Sequence, residues 1–279
     1  MNHADHAEAP NVPGDADMSE PSVLVAIEGA IATIRLNRPQ NGNSIDLPVA
    51  RALLHAVIRC EADPRVRCVV LTGNGRMFSV GGDLGVFTSN REALPELLSE
   101  LVGTVNMVVM RLLRMPKPLL VLINGPAAGG GFGLALTGDM VLASRSAHFT
   151  AAYGTIGLTP DAGLTWLLPR LVGMRKAQEI IMTDRRIPAE EAVDLGLINH
   201  AVDADRLAAE GDKIAERFAA GPTRALGTAR ALLLQSFDGG LETQLERETR
   251  GMMAAGTTND GKEGVSAFLA RRAPNFRGD

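Results

Sequence analysis

Apolar positions along the chain fall into two rhythms. Residues 23–27 and 32–36 are short β-rich runs separated by Glu28-Gly29-Ala30, which predicts a hairpin. Residues 47–61 carry helical spacing. Residues 68–72 and 119–123 are continuous apolar runs of strand length, the pattern of strands buried on both faces. Between them Leu94, Leu97, Leu98, Leu101, Val105, Val108 and Leu112 recur at three and four, predicting a long amphipathic helix ended by Pro116 and Pro118. Strands alternating with helices predict an α/β protein with parallel pairing.

One internal similarity refines this. Val69-Val70-Leu71-Thr72-Gly73 and Val121-Leu122-Ile123-Asn124-Gly125 are each a buried run ending in a polar residue and glycine. Each then passes through a small-residue loop, Ser79-Val80-Gly81-Gly82-Asp83 or Ala127-Ala128-Gly129-Gly130-Gly131, toward a helix-like segment. Two turns of one strand–loop–helix unit, stacked, set the glycine loops side by side. Past residue 185 the strand pattern nearly vanishes, and residues 189–195, 204–219, 223–234, 241–253 and 260–271 read as helices. The expected division is a disordered tail over 1–20, a core over 21–199 and a helical region over 200–279 that packs on a neighbouring subunit.

Composition narrows the function. The 279 residues are 46% hydrophobic and 22% charged, enough for a sizeable core. Lys plus Arg number 28 against 32 Asp plus Glu, a net charge of −4 that argues against a broad basic face for nucleic acid. Apolar runs such as 119–123 are too short to span a bilayer, so no membrane partner is expected. Residues 1–20 have neither the apolar stretch of a secretory signal nor the arginines of a transit peptide. Cys60 and Cys68 form no disulfide framework or metal pattern, which fits a reducing cytoplasm. His3 and His6, alone in a flexible tail, make a poor metal site, and no metal is expected.

Aromatic residues make up 4% of the chain while glycines number 30, so its tight places are built by backbone. A Gly129-Gly130-Gly131 run entering a helix leaves unpaired N–H groups at the positive end of the helix dipole. One such loop can hold a phosphate. Two facing loops can hold a single oxygen on which negative charge develops. Equally, the glycines can serve only to bring a helix close to a strand. Neither loop fits a nucleotide fingerprint, and no G-x-S-x-G elbow is present.

The motifs in combination resemble the enoyl-CoA hydratase/isomerase (crotonase) superfamily. Ala32-Thr33-Ile34-Arg35-Leu36-Asn37-Arg38-Pro39 is similar to its opening motif. Phe78-Ser79-Val80-Gly81-Gly82-Asp83-Leu84 and Asn124-Gly125-Pro126-Ala127-Ala128-Gly129-Gly130-Gly131 resemble its two oxyanion loops. Glu263-Gly264-Val265-Ser266-Ala267-Phe268 and Asn275-Phe276 agree at the C-terminus. The resemblance implies a repeated ββα superhelix core, a C-terminal helical trimerisation region and a trimer or dimer of trimers. It implies acyl-CoA substrates, with coenzyme A as part of the substrate and no separate cofactor. It assigns the thioester oxygen to the N–H groups of Gly82 and Gly130. Ser79, Val80, Gly81, Leu84, Gly129, Gly133, Trp166, Phe268 and Arg271 are the expected substrate contacts. Arg271, near Phe268, falls in the phosphate/adenine contact region that is reached from a neighbouring subunit; its other reading is a cation at a helix C-terminus.

The chain departs from the hydratase pattern at its acid–base groups. The two glutamate positions of hydratases hold Gly133 and Tyr153 here, so nothing obvious remains to deprotonate water. Asp161, in Thr159-Pro160-Asp161-Ala162-Gly163, matches the working aspartate of dienoyl-CoA isomerases, a ring-epoxide isomerase and a chlorobenzoyl-CoA dehalogenase. The surrounding segment is most like the phenylacetate-type isomerase, with Leu164 a departure that reshapes the acyl pocket. Asp161 is equally placed to cap the helix after it. Tyr153 either lines the pocket or donates a hydrogen bond near the substrate. His148 and His200 match no catalytic position. The expectation is therefore an acyl-CoA double-bond isomerase. Its rivals are a hydratase with atypical residues, a non-catalytic acyl-CoA binder and, against the charge balance, an RNA binder.

Overall fold

The computed structural model describes residues 20–279. The tail expected over 1–20, with His3 and His6, lies outside the described residues except for Glu20. Strands β1 (Val23–Glu28) and β2 (Ile31–Leu36) form the predicted hairpin around Gly29-Ala30, Gly29 taking the positive φ (+58°) that so short a turn demands. Helix α1 (Leu47–Ala62) begins at Asp46, whose carboxylate accepts from the Val49 N–H at 2.9 Å. Next come β3 (Cys68–Gly73), α2 (Leu84–Ser89), α3 (Leu94–Arg114) and β4 (Leu119–Ile123). The middle of the chain holds β5 (Ala127–Ala128), α4 (Gly130–Ala135), β6 (Met140–Ser144), β7 (His148–Thr150), α5 (Leu164–Val172) and α6 (Met174–Thr183). It ends with β8 (Ile187–Pro188), α7 (Ala189–Asp194), β9 (His200–Val202), α8 (Leu207–Ala219), α9 (Thr223–Gln235), α10 (Leu241–Thr257) and α11 (Asn259–Leu269).

The main sheet has the order β1-β2-β3-β4-β6-β9, and every pair after the hairpin is parallel. A small second sheet pairs β5-β7-β8. Alternate residues of β3 and β4 serve two cores, as their unbroken apolar runs require. Val69, Leu71, Val121 and Ile123 pack in the large cluster with α1 and α3, whereas Cys68, Val70, Leu120 and Leu122 pack against Leu207, Ala215 and Ala219 of α8. Each such buried aliphatic side chain contributes about 1.5–3 kcal/mol.

Residues 200–219 therefore belong to the sheet layer, although they follow the division expected at residue 200. Strand β9 is three residues long and too short to show a pattern of its own. Helix α8 lies so close to the sheet that a β-carbon on Gly211 would stand 2.5 Å from Leu122 Cδ1. Helix α9 is docked by Arg230, which donates to the carbonyls of Leu112 (2.9 Å), Lys117 (2.8 Å) and Met115 and pairs with Asp139. The helical stretch Arg91–Arg114 has the length and mean hydropathy (1.3) of a membrane span. Its face of Leu101, Val105, Val108, Val109 and Leu112 is nonetheless buried in the core of this protein.

Candidate active site

Because β3 and β4 are parallel neighbours, with Thr72 opposite Leu122, the loops that leave them emerge at the same edge of the sheet. Two asparagines pin the first loop. Asn43 Nδ2 donates to the carbonyls of Asn74 (2.9 Å) and Met77 (2.8 Å), and Asn124 Nδ2 to those of Gly75 (2.9 Å) and Met77 (3.1 Å). The loops are then zipped together: Phe78 N–H donates to Pro126 O at 3.1 Å and Ala128 N–H to Ser79 O at 2.9 Å. No side chain separates them. Gly81 adopts φ +87°, and a β-carbon on it would stand 3.0 Å from the Gly130 nitrogen.

A trans peptide unit points its C=O and its N–H in opposite directions. The Gly81 carbonyl accepts from Ile45 N–H at 2.8 Å, and the Gly129 carbonyl from Phe132 N–H (2.9 Å) and Gly133 N–H (3.3 Å). The N–H groups of Gly82 and Gly130 are the other halves of those two units. Among the described residues no oxygen accepts from either. Both glycines line one cavity of about 1580 Å³, walled largely by apolar side chains of α3 and by Ile45, Val80, Leu84, Phe87 and Trp166. The Phe87 ring covers Gly82 closely, 2.6 Å from where a β-carbon would be.

Asp161 and Tyr153 line the same cavity. Tyr153 donates its hydroxyl to Asp161 Oδ1 at 2.5 Å, and that oxygen lies 3.5 Å from the β-carbon position of Gly130. Burial pushes the Asp161 carboxyl above its ordinary value, and the Tyr153 hydrogen bond partly opposes this. Burial and the adjacent Asp161 charge both push the Tyr153 hydroxyl up, so it stays protonated at any working pH. Left-handed alanines flank the pair: Ala152 (φ +58°) precedes Tyr153 and Ala162 (φ +49°) follows Asp161. Such a conformation costs an alanine about 1–2 kcal/mol, strain concentrated where the two side chains are aimed. The capping role open to Asp161 is not taken, since α5 starts from Gly163 with no side-chain cap.

The Gly133 position is closed. A β-carbon there would stand 2.5 Å from Ala162 O and 2.6 Å from Ala162 Cβ, so no side chain fits.

Residues 26–279, which include both glycine loops, match a single family, enoyl-CoA hydratase/isomerase. The chain belongs to that family. It is 38% identical over 257 residues to the 1,2-epoxyphenylacetyl-CoA isomerase of Escherichia coli (strain K12), covering 92% of this chain and 98% of that one. It is 30% identical over 257 residues to the trans-2-decenoyl-acyl-carrier-protein isomerase of Streptococcus mutans, covering 92% and 98% of the two chains. The crystal structure of an enoyl-CoA hydratase from Bacillus anthracis matches with a TM-score of 0.88 at 31% identity, over 92% of this chain and 100% of that one. The α/β core with its C-terminal helices is thus the crotonase fold, and enzymes of this family act on CoA thioesters without a separate cofactor.

Of the residues expected at an enoyl-CoA hydratase/isomerase site, the structure brings Gly82, Gly130, Tyr153, Asp161, Val80, Leu84, Gly129 and Trp166 to the cavity. It does not bring Ser79, Gly81, Gly133, Phe268 or Arg271 there. Ser79 is fully buried and shapes the loop, donating to Asn43 O at 2.9 Å and accepting from Gly81 N–H at 3.2 Å. Gly81 and Gly133 allow close packing. Phe268 is 83% exposed at the end of α11, and Arg271 lies just beyond it. Sequence reasoning missed Gln235, Asp238 and Arg247, which reach the cavity from α9, α10 and the turn between them. No local motif marks these residues; only the docking of α9 on α3 delivers them.

Proposed function

We propose that this chain is an acyl-CoA double-bond isomerase with Asp161 as its single proton shuttle. One observation carries the reading. The acidic side chain that stands against the glycine loops, 3.5 Å from the β-carbon position of Gly130, is a buried aspartate held by a tyrosine, while the cavity's Asp238 sits on the exposed turn after α9; of the hydratase glutamate positions, one is that tyrosine and the other has no room for a side chain. Asp161 removes the proton from the carbon between the thioester carbonyl and a 3,4 double bond. The electrons move into the thioester, and the resulting charge on its oxygen is held by the Gly82 and Gly130 N–H groups. The protonated Asp161 returns the proton to the fourth carbon, leaving a conjugated 2-enoyl thioester. Tyr153 keeps donating to Oδ1 and so holds the carboxylate in one orientation. The apolar wall keeps water from competing for the proton.

The enzyme is a homotrimer or a dimer of trimers in the cytoplasm, with Gly82, Gly130, Tyr153 and Asp161 of the site supplied by residues 21–199 and the subunit contacts made by α10 and α11 of the region 200–279. Supporting this, α10 and α11 expose Leu245, Met252, Met253, Phe268 and Leu269, five large apolar side chains on two consecutive helices. In such an assembly Phe268 and Arg271 meet the CoA of a neighbouring subunit. Cys60 and Cys68 are free, in keeping with a reducing compartment.

The test offers the purified protein a 3-enoyl-CoA and crotonyl-CoA. Conversion of the first to the conjugated product, lost by about 10²–10⁴-fold in Asp161→Asn, is the expected result. Rapid hydration of crotonyl-CoA that Asp161→Asn leaves untouched overturns it. Thioester binding with no deuterium exchange at the substrate carbons identifies a non-catalytic binder instead.

A further inference from the structure

Two carboxylates and a backbone carbonyl converge on one nitrogen of Arg38 next to the first glycine loop, and none of Arg38, Ser44, Asp46 and Asp83 lines the cavity. Arg38 Nη1 lies 3.0 Å from Asp46 Oδ2, 3.3 Å from Asp83 Oδ2 and 3.2 Å from the Ser44 carbonyl oxygen. Ser44 Oγ donates to the same Asp83 oxygen at 3.0 Å. Asp46 follows Ile45, and Asp83 follows Gly82. Between these acids runs a two-residue bridge: Ile45 N–H donates to Gly81 O at 2.8 Å, and Asp83 N–H returns to Ile45 O at 3.2 Å. Each carboxylate also caps a helix, Asp46 that of α1 and Asp83 that of α2 through the Gly85 and Val86 amides.

This clamp differs from the surface ion pairs of the chain. The Arg38, Asp46 and Asp83 side chains are 24%, 17% and 16% exposed, against more than half for Arg51 and Glu100. Without the guanidinium, two carboxylates would face each other across the bridge and repel. The Ile45–Gly81 hydrogen bond is what fixes the peptide unit that carries the Gly82 N–H.

We infer that Arg38 is a positioning residue for the Gly82 amide, holding Asp46 and Asp83 together so that the Ile45–Gly81 hydrogen bond keeps the Gly82 N–H aimed at the substrate. This rests on the proposed role of that N–H as a donor to the thioester oxygen. All three contacts use a single nitrogen, so a lysine ammonium, with three donors of its own, can substitute for it.

The experiment compares the full-length enzyme with Arg38→Met, Arg38→Lys and Asp46→Asn. The probe is an aromatic enoyl-CoA whose absorption moves to the red when its thioester carbonyl is polarised. The expected result is a red shift on the wild type and a smaller one on R38M. With it, kcat for exchange of the substrate proton falls at least about tenfold, KM changes less, and the loss stays below the ~10²–10³-fold of an absent donor. R38K restores most of both. D46N keeps an asparagine cap on α1 and falls between wild type and R38M. R38M, or D46N should R38M not fold, that shifts the chromophore as far as wild type overturns the inference whatever its melting temperature. A wild type that binds the thioester with no shift overturns the reading of Gly82 itself, and the role of Arg38 with it.

Discussion

Gly133 lies directly against Ala162: a β-carbon on the glycine would stand 2.5 Å from the alanine's carbonyl oxygen. The contact joins helix α4 to the loop that carries Asp161. Gly133→Ala should therefore destabilise the protein by about 1–3 kcal/mol, the usual effect of overpacking a filled site. Gly133→Glu should fold poorly and gain no hydratase activity. Chemical denaturation of the alanine variant checks the first statement; a loss below about 0.5 kcal/mol would mean that the 159–163 loop yields.

Asp161 is buried with its carboxyl raised, which fixes the sign of its contribution to stability. A carboxyl raised on folding holds its proton in the native state to a higher pH than in the unfolded one. Stability from this group is thus lost as pH climbs from the ordinary carboxylate range through the native value, and the loss is complete above it. Asp161→Asn removes the charge and leaves Tyr153 an amide oxygen to donate to. Its melting temperature should exceed that of wild type at pH 7, and the gap should close below about pH 4, near the ordinary carboxylate value. Thermal melts across that range decide the matter, and a less stable variant at pH 7 contradicts it.

Tyr153→Phe deletes the side-chain hydrogen bond that favours the ionised aspartate. The acid limb of kcat/KM should move to higher pH, with the activity above that limb reduced far less than by Asp161→Asn. A pH–rate profile of the two variants beside wild type is the measurement. An unmoved limb would separate Tyr153 from the titrating group.

Cys68 is fully buried, and its thiol is pushed up to about 12 by burial and by the nearby Asp139 charge. Burial also raises the Cys60 thiol. Neither sulfur should react with a thiol reagent in the native protein at pH 8, and both should react after denaturation. Fast labelling of the native chain at Cys68 would show that β3 opens, and at Cys60 that the end of α1 does.

The strands, the long helix and the adjacency of the glycine loops were legible because each rests on a local signal. Unbroken apolar runs gave β3 and β4, three-and-four spacing gave α3, and the repeated strand–loop unit brought Gly81 beside Gly129. Asp161 and Tyr153 could each be singled out, but the hydrogen bond that pairs them could not. The nine residues from Tyr153 to Asp161 contain left-handed Gly157 and are flanked by left-handed Ala152 and Ala162, a backbone course that no spacing rule encodes. The membership of α8 in the core was hidden for a related reason, since its sheet-facing residues Gly211, Ala215 and Ala219 are small and carry little apolar pattern. Arg38 stood in a recognisable motif, yet its contacts with residues 44, 46 and 83 exist only once three separate segments have met.

The anchored carbonyls of Gly81 and Gly129 have a further consequence. Because each free amide is the reverse side of a bond already committed to the scaffold, turning it away would break the lattice that built it. The electrostatic work of orienting those dipoles is thus completed at folding, before any thioester arrives.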